Sequence, residues 1–350
     1  MKKTKFAVLD EKNPDRTIIE EAGITIKNGG LVAFPTETVY GLGGDALQSA
    51  SSRKIYAAKG RPCDNPLIVH ICRWEDIEKI AVRIPAAAVK LADAFWPGPL
   101  TMILEKSALV PAETTGGLST VAVRMPSHPA ALALIAAAGG YVAAPSANTS
   151  GRPSPTRAEH VREDLDGRID MIVDGGGTEI GLESTIVDLT EPVPVILRPG
   201  FVTKEMMEEV LQTAVEVDRS LPAAGQAPRA PGMKYRHYAP RGKMTVVSGD
   251  REAVIRTIGR LAAEKRTAGE RVGVICTDET KPFYEADCIA SAGGGMDAEA
   301  AARHLYEILR SFDSRQVTYI YSEAFPGEGI GQAVMNRLLK AAGHHILEVS

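Results

Sequence analysis

The chain has 350 residues, 44% of them hydrophobic and 24% charged, with a formal net charge of −4. That length predicts two domains, each with its own interior, and the composition is that of a soluble globular protein. The charge argues against a molecule whose whole surface grips nucleic acid while leaving room for a local basic groove, and no apolar run has the length of a membrane span.

The opening run MKKTKFAVLDEKNPD has too short an apolar stretch for a signal peptide, so a cytoplasmic protein is expected. A helix over RTIIEEAGITIKNGG, ending at Gly29 and Gly30, precedes a strand LVAFP. Pro35 ends that strand, and Thr36, Glu37 and Thr38 occupy the following turn, where the hydroxyls could equally cap the next element or meet a ligand. A second helix, SSRKIYAAKG, runs into PLIVHI. Lys59 and Arg61 flank Gly60 at that corner, with Asn65 and His70 just beyond. Glycine permits positive φ there, and Pro62 disfavours helix at the residue before it, so the corner is predicted to be rigid. An ammonium and a planar fork held together suit a phosphate or a carboxylate; the alternative is a solvated helix end complementing its dipole.

Further strands are expected at LTMILEK, TVAVRMP, YVAAPS, MIVDGG, STIVDL and VPVILRP, with helices at PAAAVKLADAFW, HPAALALIAAAGG and RAEHVREDL. Together they predict an α/β domain with a large mixed sheet. Alternation puts Thr120, Ala122 and Arg124 on one face of their strand, and an arginine there needs an anionic partner or a route to water. After YVAAP come Ser146, Asn148, Thr149, Ser150, Gly151 and Ser154, a loop that could cradle phosphate oxygens or be an ordinary turn-rich connection. Ser184 stands at the start of the strand STIVDL, and Arg198 at the end of VPVILRP could reach a phosphate.

Residues 219–243, RSLPAAGQAPRAPGMKYRHYAPRGK, lack apolar periodicity and read as an interdomain linker after a first domain of residues 1–218. Within it Tyr235, Arg236, His237 and Tyr238 could close over a site as a lid or form a passive tether. Residues 244–350 alternate strands and helices as a small doubly wound, Rossmann-like domain. It carries no visible catalytic constellation; PGEGIG before its last helix could bind an anion or be a structural turn, and the domain could organise the linker or a homodimer.

Cys63, Cys72, Cys276 and Cys288 form no CxxC pair, so neither a disulfide framework nor a zinc site is indicated. There is no P-loop, no GxGxxG, no GxSxG elbow and no histidine with ligand spacing to another histidine or cysteine. What remains is a set of cations, hydroxyls and backbone donors, which best serves phosphoryl or nucleotidyl transfer.

In this order FPTETVYGLG, KGRPCDNPLIVHI, TVAVRMP, APSANTSGRPSPT, ESTIVDL, LRPG and APGMKYRHYAP resemble the Sua5/YrdC/YciO family, with a length and second domain like its Sua5-type members. The resemblance implies a YrdC-like domain joined to a C-terminal Sua5 domain. It implies an enzyme that makes L-threonylcarbamoyl-AMP and pyrophosphate from L-threonine, bicarbonate and ATP with Mg2+. The product would pass to a separate complex that installs t6A at position 37 of tRNA.

Position by position, the resemblance puts Thr36, His70, Arg124, Ala144 and Ser184 around threonine, with Arg124 on its carboxylate and the Ala144 backbone orienting it. It puts Lys59, Arg61, Cys63, Thr120, Ser146, Asn148, Ser154, Arg198, Tyr235 and His237 around ATP, with Lys59, Arg61, Ser146 and Asn148 as the catalytic set. Mg2+ would be held mainly by the ATP phosphates. The competing readings are a double-stranded RNA or tRNA-binding module, betrayed by sharply salt-dependent RNA affinity without ATP turnover, a related carbamoyl-transfer enzyme, and a YciO-like protein.

Overall fold

The computed structural model describes residues 3–10, 15–218, 228–233, 237–295, 297–325 and 327–350. They fall into two compact units. The first takes in the described residues up to Ser150, then Ser154–Glu179, then those from Glu183 to Met233; the second takes in Gly151–Pro153, Ile180–Leu182 and everything from His237 on. No helix among the described residues is long and apolar enough to cross a membrane.

In chain order the first unit contains β1 (Lys5–Val8), α1 (Arg16–Lys27), β2 (Val32–Phe34), β3 (Gly41–Asp45), α2 (Ser49–Lys59), β4 (Ile68–His70), α3 (Ile77–Ile80), α4 (Ala86–Phe95) and β5 (Leu100–Glu105). It continues with β6 (Thr120–Arg124), α5 (Pro129–Ala137), β7 (Val142–Ala143), α6 (Ala158–Leu165), β8 (Met171–Asp174), β9 (Thr185–Asp188), β10 (Val195–Arg198), α7 (Lys204–Leu211) and β11 (Glu216–Val217). The strands join in one mixed sheet in the order β1-β8-β2-β3-β7-β4-β6-β5-β9-β10-β11. The large mixed sheet expected from the sequence is therefore present.

Strands β1, β3 and β11 and helices α3 and α7 were not foreseen. β3 reads GLGGD and offers no side-chain period, because its glycines make room for neighbours: a Cβ on Gly43 would lie 2.9 Å from both Phe34 and Val142. Alternation divides the middle of the sheet into two faces. Val69, Met102, Leu104, Val121, Val123 and Val187 pack into the main core beneath the helices. Ile68, Ile103, Ala122, Ile186 and Leu197 point the other way and pack with Ala230 and Met233.

The second unit contains β12 (Lys243–Gly249), α8 (Arg251–Thr267), β13 (Val272–Cys276), β14 (Cys288–Ser291), α9 (Ala298–Ser314), β15 (Tyr319–Glu323), α10 (Ile330–Ala341) and β16 (Ile346–Val349). Its sheet runs β14-β13-β15-β12-β16, and every pair is parallel. Val254, Ile258 and Ala262 of α8 pack with Val247, Val274 and Tyr321 on one face. On the other face Phe312 of α9 would meet a Cβ on Gly273 at 2.8 Å, and α10 packs against α9. This is the small doubly wound sheet that the alternating pattern predicts, with β16 as an unforeseen edge.

Candidate active site

The second face of the first sheet carries a row of polar side chains among apolar ones. Across the ladders His70 of β4 and Thr101 of β5 both stand opposite Arg124 of β6. Arg124 is 4% exposed and is compensated as the sequence demanded. One terminal nitrogen donates to Glu37 Oε1 at 2.7 Å, the other to Thr38 Oγ1 at 2.9 Å, and Nε to the Gly98 carbonyl at 3.3 Å. Thr36 closes the turn that supplies these partners, donating to the Val39 carbonyl at 2.7 Å and lying 2.9 Å from Thr38 Oγ1. Glu37 Oε2 is buried and has no partner among the described residues.

His70 is buried beside Arg124, its Nδ1 3.2 Å from the Ile68 carbonyl. Burial first and the Arg124 charge second push its pKa down to about 3, against the pull of the Ile68 and Val142 carbonyls. The imidazole is neutral at working pH and serves the site through hydrogen bonds and shape. Ala144 follows β7, and its N–H donates to Ile68 at 2.9 Å, which fixes the backbone alongside His70.

A β-bulge extends the row. The register between β10 and β9 shifts between Ile196 and Arg198, so Arg198 stands opposite Ile186. Simple alternation would have sent it to the core face with Ile196; the extra residue returns it to the face of Ile186. There it donates to the Ser184 carbonyl at 2.9 and 3.1 Å and to Ser184 Oγ at 3.1 Å, and Ser184 Oγ lies 2.7 Å from Thr101 Oγ1. Ser154 Oγ hydrogen-bonds Glu183 Oε1 next door.

The Lys59 corner forms a second cluster. α2 ends on Gly60 at φ 62°, and the Arg61 N–H returns to the Tyr56 carbonyl at 3.0 Å, which is a glycine-capped helix end. Lys59 is 1% exposed; its Nζ donates to the carbonyls of Ser146 and Asn148 and lies 3.3 Å from Asn148 Oδ1, while Ser146 Oγ donates to that Oδ1 at 2.6 Å. The Ser150 N–H donates to the Lys59 carbonyl at 2.9 Å. Helix end and serine-rich loop are thus tied together through one ammonium. Arg61 closes its own loop on Asn65 Oδ1 at 2.7 Å and on the carbonyls of Asn65 and Pro66 at 3.1 and 2.9 Å. That fixes the Asn65 amide orientation and leaves its Nδ2 buried with no partner among the described residues.

The structure therefore gathers Lys59, Ser146 and Asn148 in one cluster and Arg124, His70, Thr101, Ser184 and Arg198 along one row. Thr120, half-buried, begins the same strand as Arg124, and Cys63 is exposed. His237 lies in the second unit, its ring 5.5 Å from that of Tyr238. Tyr235 and Arg236, and with them much of the expected lid, lie outside the described residues. Sequence reasoning gave no site role to Glu37, Asn65, Thr101 or Glu183, and left the Thr38 hydroxyl open between a cap and a ligand contact. Asn65, four residues after Arg61 in a proline-bounded loop, was within reach of local reasoning; Glu37 needs the fold to meet Arg124.

A buried donor beside Arg61 and a buried acceptor beside Arg124 are what a phosphate oxygen and an amine or hydroxyl would satisfy. Comparison with known proteins identifies the family. The family model Sua5_yciO_yrdC, described as "Telomere recombination", matches residues 25–200, and the model "Threonylcarbamoyl-AMP synthase, C-terminal domain" matches residues 202–343. The chain is similar to the threonylcarbamoyl-AMP synthase of Bacillus subtilis, at 48% identity over 97% of each protein. It is also similar to that of Pyrococcus abyssi, at 49% identity over 93% of this chain and 94% of the relative. The solved structure of P. abyssi Sua5 complexed with L-threonine superposes with a TM-score of 0.94 at 47% identity, covering 99% of this chain and all of that one.

Proposed function

The chain belongs to the Sua5/YrdC/YciO family as a two-domain, Sua5-type member, and on that premise we propose that it is a threonylcarbamoyl-AMP synthase acting on L-threonine, bicarbonate and ATP. The observation that carries the proposal is the buried Arg124, held by Glu37 and Thr38 and flanked by neutral His70 and by Thr101. It offers a buried cation within a row of polar side chains, with a buried carboxylate oxygen beside it.

Threonine's amine takes up bicarbonate, losing water, to give a carbamate. In the proposed complex Arg124 holds the substrate carboxylate, with Thr36, His70, Ser184 and the Ala144 backbone around it. Carbamate oxygen then attacks the α-phosphorus of ATP; a P–O bond forms to the carbamate, the bond to the bridging oxygen breaks, and pyrophosphate leaves. The carbamate is a weak nucleophile, so positioning supplies much of the rate. Lys59 and Arg61, with Ser146 and Asn148, offset the charge that builds on the α-phosphate and the leaving group. Arg198, Ser154, Thr120 and the backbone at Cys63 complete the proposed nucleotide contacts.

Mg2+, where bound, would be held mainly by the ATP phosphates and would offset their charge; among the described residues no group of three His, Cys, Asp or Glu side chains could hold a metal ion. By the same reading the threonylcarbamoyl group passes to a separate tRNA-modifying complex for t6A. The test is pyrophosphate release with ATP, Mg2+ and bicarbonate, with and without L-threonine, and mass spectrometry for threonylcarbamoyl-AMP. Release is expected to require threonine and to fall about 10²–10³-fold in Lys59→Ala. Release indifferent to threonine sinks the assignment.

A further inference from the structure

The second unit carries a crevice of its own. It lies beyond the carboxyl ends of β12, β13 and β15, with a volume of about 730 Å³, and Ser248, Thr277, Thr280, Glu323, Val254 and Phe325 line it. β12 is followed by α8 on one face of the sheet and β15 by α10 on the other, so the crevice opens where the chain's direction of winding reverses. Open parallel sheets bind ligands at that point, because the diverging loops leave a gap there and the strand ends turn their last side chains into it.

The crevice has a defined polarity. At its floor Glu323, 7% exposed, accepts from Tyr284 Oη at 2.6 Å through Oε1 and from the Thr277 N–H at 3.1 Å through Oε2. A carboxylate has about four acceptor positions, so each oxygen keeps one for a further donor. Burial first and the Glu323 charge second drive the Cys276 thiol up to about 12, against the opposing pull of Lys281 and Thr280. One wall is apolar, from Val254 and Phe325; Arg251 and Glu279 stand at the rim. The first helix N-terminus in this unit is already taken: Asp250 accepts from the N–H groups of Glu252 and Ala253. Two carboxylates against one guanidinium, with that helix end self-capped, disfavour a polyphosphate.

We propose that this crevice is a second ligand site, for a ribonucleoside or its monophosphate, with the 2′,3′-diol donating to Glu323 and the base against Val254 and Phe325. It goes beyond the reaction proposed above and does not depend on it. An acidic residue at a strand end that accepts from ribose hydroxyls, and an apolar wall for a ring, are the two features such a ligand uses.

The test is hydrogen–deuterium exchange on the full-length protein titrated with AMP, 2′-deoxy-AMP and ATP, read in peptides covering 247–254, 277–280 and 323–325. AMP is expected to protect these peptides, with a midpoint at least about tenfold weaker for 2′-deoxy-AMP and for AMP on Glu323→Gln, since a site built around a hydrogen bond rejects the analogue lacking it. ATP is expected to protect them less than AMP does. Val254→Trp, which narrows the crevice, is expected to abolish the protection while leaving threonine-dependent pyrophosphate release intact, and unchanged exchange in peptides of α9 and β13 reports that the second unit is folded. No protection by millimolar AMP in the unmodified protein, or protection indifferent to both the 2′-hydroxyl and Glu323→Gln, overturns the proposal.

Discussion

Glu37 and Glu323 are both buried carboxylates just beyond the end of a strand or at it, and they differ in what holds them. Glu37 is tied at 2.7 Å to the guanidinium of Arg124, whereas Glu323 is held by a phenol and a backbone N–H. In the first unit the acid anchors a cation, Arg124, which in the proposed complex holds the substrate carboxylate. In the second the acid has only neutral partners of its own, so the crevice suits donors. The same α/β architecture thus presents opposite polarity in its two units, according to whether the strand-end carboxylate is paired.

Removing a partner from each side tests that difference. Arg124→Ala leaves the Glu37 carboxylate buried without its cation, a loss of about 3–5 kcal/mol for a broken buried pair, together with loss of threonine-dependent turnover. Tyr284→Phe deletes one hydrogen bond to a charged acceptor and is expected to cost about 1.5–3 kcal/mol with turnover kept. Urea denaturation of both variants ranks them. Adding Glu37→Gln to Arg124→Ala should recover part of the stability and none of the activity; a double variant no more stable than the single one means that Glu37 and Arg124 are not a coupled pair.

His70 sharpens the comparison through pH. The folded protein holds it neutral down to about pH 3, while the unfolded chain takes up a proton near pH 6.5. Between those values the unfolded state binds more protons, so stability rises with pH and is lost as pH falls from 6.5 toward 3. From pH 6 to pH 5 the native protein is expected to lose about 1 kcal/mol more than His70→Gln. Equal losses in urea denaturation at the two pH values mean that the ring is not held neutral by the site.

Much of this was legible in the sequence where side-chain chemistry repeats with the backbone. Apolar runs gave β5, β6 and β13, and Gly60 gave the end of α2. The alternation that placed Arg124 on one face of β6 also demanded a partner for it. What stayed illegible has particular causes. β3 has glycines where a strand shows its period, because Phe34 and Val142 fill that space. Arg198 reaches the site face through a bulge, and a bulge inverts the parity on which alternation depends. The partner of Arg124 lies 87 residues earlier, so only the closed sheet brings the pair together.

The smallest expected effect isolates the geometry of the Lys59 corner from its charge. Gly60 has φ 62°, and a Cβ there would meet nothing within 4 Å; Gly117, at φ 86°, has the same freedom in a different loop. Alanine at either position keeps every contact and costs about 1 kcal/mol through the left-handed backbone alone. Thermal or urea denaturation should therefore find the two variants alike. Gly60, however, sits between the two cations, and a few degrees of backbone rotation there move Lys59 Nζ and the Arg61 fork relative to each other. Positioning accounts for much of nucleotidyl transfer, so turnover is expected to fall several-fold in Gly60→Ala and to stay unchanged in Gly117→Ala. Equal turnover in the two variants means that the corner contributes its charges and not their exact spacing, and the rigidity of the helix cap then belongs to folding rather than to the reaction.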